Sequence, residues 1–82
     1  MLITTEWSSP KTIQYGKNIR IRFSKGNFEV KVHSATGQSI GRYIPDDRKE
    51  FIISAQEIRE ILHPQISFKS TAGELHVDFE LF

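Results

Sequence analysis

The chain has 82 residues, of which 38% are hydrophobic and 26% are charged, a composition that excludes the disordered and fibrous classes and allows a single core. It has no cysteine, which excludes disulfides, thiolate catalysis and cysteine-based zinc sites. The net charge of +1 is unevenly distributed about Pro45, because residues 1–45 carry a charge of +5 and residues 46–82 carry a charge of −4. Charges separated in this way can steer a charged partner.

The N-terminal residues lack a basic region followed by an apolar run, and no apolar stretch reaches the length of a membrane span. These absences predict a soluble, cytoplasmic protein that does not associate with membranes. We expect residues 1–10 to form a loose N-terminal arm or an edge strand, with no defined place for Trp7. Residues 11–82 are expected to form one α+β domain.

Two segments in the first half of the chain alternate polar and apolar residues with period two, Asn18–Phe23 and Phe28–His33, and each predicts a strand. The turn between them at Lys25-Gly26 predicts a hairpin, because glycine adopts the positive φ that a two-residue turn requires. In that register Phe23 lies opposite Phe28 on the apolar side, and the other side is basic, with Arg20, Arg22 and Lys31.

The middle of the chain predicts a bulged strand and then a helix. A bulge at Gly41 would let both Ile40 and Tyr43, in the segment Gln38–Ile44, face the core. Ser54 and Glu57 match a capping box, which begins a helix over residues 54–63 that a proline then ends. The apolar face of this helix is formed by Ile58, Ile61 and Leu62.

The C-terminal residues predict a second hairpin, formed by Gln65–Ser70 and Glu74–Phe82, in which Phe68 lies opposite Val77. Together these elements predict an α+β fold, with an antiparallel sheet of about five or six strands built from hairpins and the 54–63 helix packed on its apolar face. The residues expected to be buried are Ile19, Ile21, Phe23, Phe28, Val30, Val32, Ile58, Ile61, Leu62, Phe68, Val77 and Phe79.

No group of residues predicts catalysis. His76 and Asp78 share a strand face that the predicted hairpin brings near Ser67 and Lys69, but this set lacks the three converging ligands of a zinc site. It is not a catalytic triad either, because the predicted register places Ser67 opposite Asp78 and not opposite the histidine. The charged run at residues 46–49 is too local to converge on one metal ion. We therefore expect a protein that is not an enzyme and that has no metal or cofactor.

The basic hairpin predicts a function in nucleic-acid binding. Cationic side chains on a twisted pair of strands can follow a phosphate backbone, and a tyrosine nearby can stack on a base. The small net charge and the acidic Glu29 within the hairpin weaken this prediction. The residues predicted to bind nucleic acid are Lys17, Arg20, Arg22, Lys25, Lys31, His33 and Tyr43.

The alternative prediction is a protein-interaction module or small regulatory subunit. The basic and acidic halves of the chain favour self-association, and Leu81 and Phe82 leave apolar area for a second copy to cover. This hypothesis predicts a homodimer. The sequence alone leaves open whether the partner is nucleic acid or protein.

Overall fold

The computed structural model describes residues 1–24, 27–36, 39–43 and 50–82, with only the backbone described for residues 39–43. The described residues form eight strands: β1 (Leu2–Ile3), β2 (Lys11–Thr12), β3 (Ile19–Phe23), β4 (Phe28–Ser34), β5 (Ser39–Tyr43), β6 (Glu50–Ile53), β7 (Pro64–Ser70) and β8 (Leu75–Leu81). They make two antiparallel sheets. Sheet 1 has the order β1-β8-β3-β6, and sheet 2 has the order β2-β7-β4-β5.

The two sheets pack their apolar faces together. In β3, β4 and β7 every second side chain is buried, as the period-two alternation requires, and in β8 the inward side chains are buried or partly buried. Aromatic rings join the sheets, because Phe23 meets Phe28 edge-on with centroids 5.0 Å apart and Phe68 lies 5.6 Å from Phe79. The buried apolar core consists of Ile3, Ile13, Ile19, Ile21, Phe23, Phe28, Val30, Val32, Ile53, Ile58, Ile61, Ile66, Phe68 and Val77.

Both predicted hairpins are wrong. β3 pairs with β6 and β8, whereas β4 pairs with β5 and β7, so the chain crosses from one sheet to the other between β3 and β4. The chain also crosses between the sheets from β7 to β8, because β7 lies in sheet 2 and β8 lies in sheet 1. Alternation fixes which side of a strand faces the core, and two such strands bury their apolar sides equally well when they face each other across a sandwich. Phe23 and Phe28 therefore do meet, but as partners in different sheets.

The α+β prediction is also wrong, because the described residues contain no helix and the fold is all-β. The capping box forms, since the amide of Ser54 donates to Glu57 Oε2 at 2.7 Å and the amide of Glu57 donates to Ser54 Oγ at 3.3 Å. The following amides donate three residues back, including Ile61 to Ile58 at 3.0 Å, so the segment is a series of tight turns. No helix long and apolar enough to cross a membrane is found among the described residues.

Residue spacing explains why turns replace the helix. A coil of three residues per turn aligns positions three apart, which buries Ile58 and Ile61 together and leaves Leu62 with 71% of its surface exposed. A segment of ten residues is also too short for helix propensity to dominate. Pro64 then begins β7 directly after His63, which has a φ of +50°. Of the residues expected to be buried, Leu62 is exposed and Phe79 is only partly buried.

The predicted bulge is confirmed to within one residue. Val32 pairs with Gly41 and His33 pairs with Ser39, so Ile40 is the extra residue in β5. The prediction that Ile40 and Tyr43 point at the core concerns side chains outside the described residues.

The N-terminal segment connects the two sheets. Leu2 and Ile3 pair with β8 in sheet 1. The chain then runs along the outer edge of β7 in sheet 2, where Thr4 accepts a hydrogen bond from the amide of Ser70 at 2.7 Å. Ser8 makes two hydrogen bonds to Phe68: its amide donates to the Phe68 carbonyl at 2.8 Å, and its Oγ accepts from the Phe68 amide at 2.9 Å. Trp7 is thereby held beside β7.

Candidate functional site

The residues predicted to bind nucleic acid do not lie on one face. Arg20 and Arg22 alternate with buried residues of β3 and lie on the outer face of sheet 1. Lys31 and His33 lie on the outer face of sheet 2, on the opposite side of the sandwich. The pairing of β3 with β4, on which the shared face depended, does not occur. Lys17 precedes β3 in the chain, and Lys25 and the side chain of Tyr43 are outside the described residues.

Arg20 is the centre of an ionic network on the outer face of sheet 1. Its Nε lies 2.7 Å from Glu50 Oε1, and its Nη1 lies 2.9 Å from Glu80 Oε1. The buried Nε–H is misaligned with its carboxylate, so that contact is an ion pair and not a hydrogen bond. The guanidinium carbon lies 4.4 Å from the centroid of the Phe82 ring. Arg22 Nη2 reaches the same Glu80 oxygen at 3.4 Å.

The position of β3 brings charged residues from the basic and the acidic halves of the chain together. β3 contributes two arginines from the basic half, and it lies between β6 and β8, which both come from the acidic half. Its register places Arg22 opposite Glu50 on one side and Asp78 on the other. Opposite charges on directly paired residues stabilise a sheet, and like charges destabilise it. The charges of the two halves are thus partly neutralised within sheet 1.

The outer face of sheet 2 carries a different cluster, which we call the Trp7 cluster and which consists of Trp7, Lys31 and Lys69. The Nζ of Lys31 lies 4.4 Å from the centroid of the indole ring, and the Nζ of Lys69 lies 5.5 Å from it. Both distances fall within the range of a cation–π interaction. The two lysines come from the neighbouring strands β4 and β7. Among the described residues, no carboxylate lies within 4.0 Å of either ammonium group.

Two buried polar residues extend this face along the same pair of strands. Ser67 is the register partner of Lys31, and His33 is the register partner of Gln65. His33 Nδ1 lies 3.0 Å from the carbonyl oxygen of Ser34, which can only accept, so Nδ1 carries the proton. Nε2 lies 3.4 Å from the Ser67 hydroxyl oxygen. His33 is therefore held within sheet 2 by hydrogen bonds and is buried, so it is not an exposed side chain of this face.

The polar set considered for catalysis is divided between the sheets. His76 and Asp78 lie on β8 in sheet 1, and Ser67 and Lys69 lie on β7 in sheet 2. Asp78 accepts a hydrogen bond from the amine of Met1 at 3.1 Å. In the part of the chain that the structure describes, no three His, Asp or Glu side chains are close enough to hold a metal ion.

Two apolar clefts share a wall at one end of the sandwich. One, of about 220 Å³, is lined by the tight turns, and its neighbour, of about 310 Å³, lies beside the start of β7. Tyr15 and Pro64 contribute to both. The Tyr15 hydroxyl donates to the carbonyl oxygen of Arg59 at 2.5 Å, which fixes the ring over the turns. Leu62 is the most exposed large apolar residue described, at 71%.

Comparison with known proteins gave no match. No family model fits the sequence, and neither a curated protein nor a solved structure is similar to it.

Sequence reasoning missed two members of the Trp7 cluster. Trp7 had no predicted place, because it lies outside any periodic segment, and Lys69 was assigned to a hairpin with β8. Strand length gives no signal that β7 pairs with β4, because β4, β7 and β8 all have seven residues. That pairing brings Lys31 and Lys69 to the same face, and the hydrogen bonds of Ser8 then bring Trp7 to them.

Proposed function

We propose that this domain is a non-catalytic binding protein that binds nucleic acid through the outer face of sheet 2. The observation that supports this proposal is the Trp7 cluster, in which two ammonium groups from adjacent strands lie over one indole ring. Because both Nζ atoms lie close to the same ring centroid, at 4.4 and 5.5 Å, they are no more than about 10 Å from each other. Two like charges held this close repel each other, and a phosphate strand that contacts both lowers that repulsion.

The contrast with sheet 1 favours the sheet 2 face over the arginines of β3. Arg20 and Arg22 already have carboxylates at 2.7 to 3.4 Å, so a phosphate would have to compete with them. Among the described residues neither lysine has a carboxylate within 4.0 Å, although Glu29 is the register partner of Lys69. The proposed phosphate contacts are therefore Lys31 and Lys69.

The test is a salt titration of oligonucleotide binding. Trp7 is the only tryptophan, so its fluorescence reports directly on the proposed site. The affinity for single strands should fall with salt with a log–log slope of about −0.7 for each phosphate contact. The variant Lys31→Gln/Lys69→Gln should bind more weakly and have a slope that is shallower by about 1 to 1.5.

A charge-matched control separates this site from general electrostatics. Arg22→Gln/Arg59→Gln also removes two positive charges, from exposed residues elsewhere on the surface. We expect it to retain most of the affinity. Equal losses in the two double variants, or no binding by the wild-type protein at low salt and tens of micromolar, would contradict the proposal.

A second candidate function is self-association through the two apolar clefts. Tyr15 and Leu62 are exposed at 59% and 71% beside these clefts, and exposed aromatic and aliphatic residues around a cleft are features of interaction surfaces. Sedimentation velocity at micromolar concentration should then show a dimer that persists at moderate salt and is lost in Leu62→Ser. A monomer at both low and moderate salt would exclude this candidate.

A further inference from the structure

Trp7 lies between the two proposed phosphate contacts and touches both of them. Lys31 and Lys69 belong to different strands, and their register partners are Ser67 and Glu29, so the lysines are diagonal neighbours on the sheet. The indole ring is the group that both ammoniums share, at 4.4 and 5.5 Å. The ring therefore links two cations that the backbone alone would leave independent.

The main chain around Trp7 is fixed on both sides. Ser8 is bonded through its amide and its Oγ to Phe68, and Thr4 is bonded through its carbonyl to Ser70. These bonds hold the segment against β7, one residue from Lys69 on either side. A ring anchored in this way keeps its position while the flexible lysine side chains settle on it.

We propose that Trp7 is a positioning residue of the nucleic-acid site, which holds the ammonium groups of Lys31 and Lys69 in place for phosphates of one strand; this inference rests on the proposed function. Lysine has a flexible stem whose freedom is lost when it binds a ligand. A side chain already restrained in the free protein loses less freedom on binding, which raises affinity. Both ammoniums lie over the indole ring, so the inferred role of Trp7 is to support phosphate contacts and not to stack on bases.

This role predicts a particular combination of results. Trp7→Leu removes the attraction to the cations but keeps an apolar side chain, so affinity for a labelled oligonucleotide should fall about two- to fivefold. The salt slope should stay unchanged, because the number of lysines that contact phosphate is the same. Trp7→Phe should restore most of the affinity, since phenylalanine also attracts cations. Anisotropy of the labelled strand measures all three proteins.

Several outcomes would overturn the inference. Binding that is unchanged or tighter in Trp7→Leu would show that the ring does not position the lysines, or that it competes with phosphate. A slope that falls together with affinity would mean that Trp7 sets the number of contacts. If Lys31→Gln/Lys69→Gln weakens binding and Trp7→Leu does not, only the role of Trp7 fails; if the lysine variant binds as wild type, the proposed function fails as well.

A spectroscopic measurement keeps the test independent of how well the variants fold. In the wild-type protein, the ε-methylene protons of Lys31 and Lys69 should show ring-current shifts from Trp7, and these shifts should persist on saturation with an oligonucleotide. Loss of the shifts on binding, or their absence in the free protein, would contradict positioning by the ring.

Discussion

The outer faces of the two sheets use their basic side chains in opposite ways. On sheet 1 the guanidinium of Arg20 lies among carboxylates of the two flanking strands and against the ring of Phe82. On sheet 2 the ammoniums of Lys31 and Lys69 meet on the ring of Trp7. A carboxylate neutralises a cation, whereas an aromatic ring attracts a cation and leaves its charge in place. The first face is therefore suited to holding strands together, and the second to meeting an anion.

The largest expected effect concerns the contact between the sheets, on which both faces depend. Phe68 is fully buried and lies 6.5 Å from Phe28 and 5.6 Å from Phe79 by ring centroids. Phe68→Ala should lower the free energy of unfolding by about 3–5 kcal/mol, measured by urea denaturation. Leu62→Ala is the control and should cost less than about 0.5 kcal/mol, because that side chain is exposed. Similar losses in the two variants would mean that the packing of the sheets is not as described.

The burial of Phe68 was predictable from sequence, but its neighbours were not. Period-two alternation sorts side chains into inner and outer faces, and it did so correctly for β3, β4 and β7. Strand pairing is a contact between distant segments, and a short turn signal such as that at Lys25-Gly26 is compatible with both a hairpin and a crossing between sheets. The capping box likewise predicted its own hydrogen bonds and not the tight turns that follow them.

A smaller effect is expected when the network of sheet 1 is broken. Arg20→Gln removes ion pairs to Glu50 and Glu80 and the contact with Phe82. The side chain is 30% exposed, so solvent screens part of this energy, and we expect a loss of about 1 kcal/mol in the free energy of unfolding. Lys31→Gln should cost clearly less. If Lys31→Gln is less stable than Arg20→Gln, the difference between the two faces is not as described.

The electrostatic difference between the faces depended on strand order, which explains why the sequence predicted one basic surface. Arg20 and Lys31 both occupy outward positions of alternating strands, so their local patterns are equivalent. Only the flanking strands distinguish them, because β6 and β8 supply carboxylates to Arg20 and the N-terminal segment supplies Trp7 to Lys31.

The smallest effect is expected when the carboxylates that contact the arginines of sheet 1 are removed. Glu50→Gln/Glu80→Gln removes the carboxylates that contact Arg20 and Arg22, so both guanidinium groups become able to contact phosphate. Binding of a single strand should tighten about twofold, and the salt slope should steepen by about 0.7 to 1.4, one increment for each arginine engaged. The control is Glu60→Gln/Glu74→Gln, which removes the same charge from exposed residues that make no ion pair with another described residue. Equal tightening in both variants would show that net charge alone sets the affinity, and that the carboxylates of sheet 1 do not prevent its arginines from contacting phosphate.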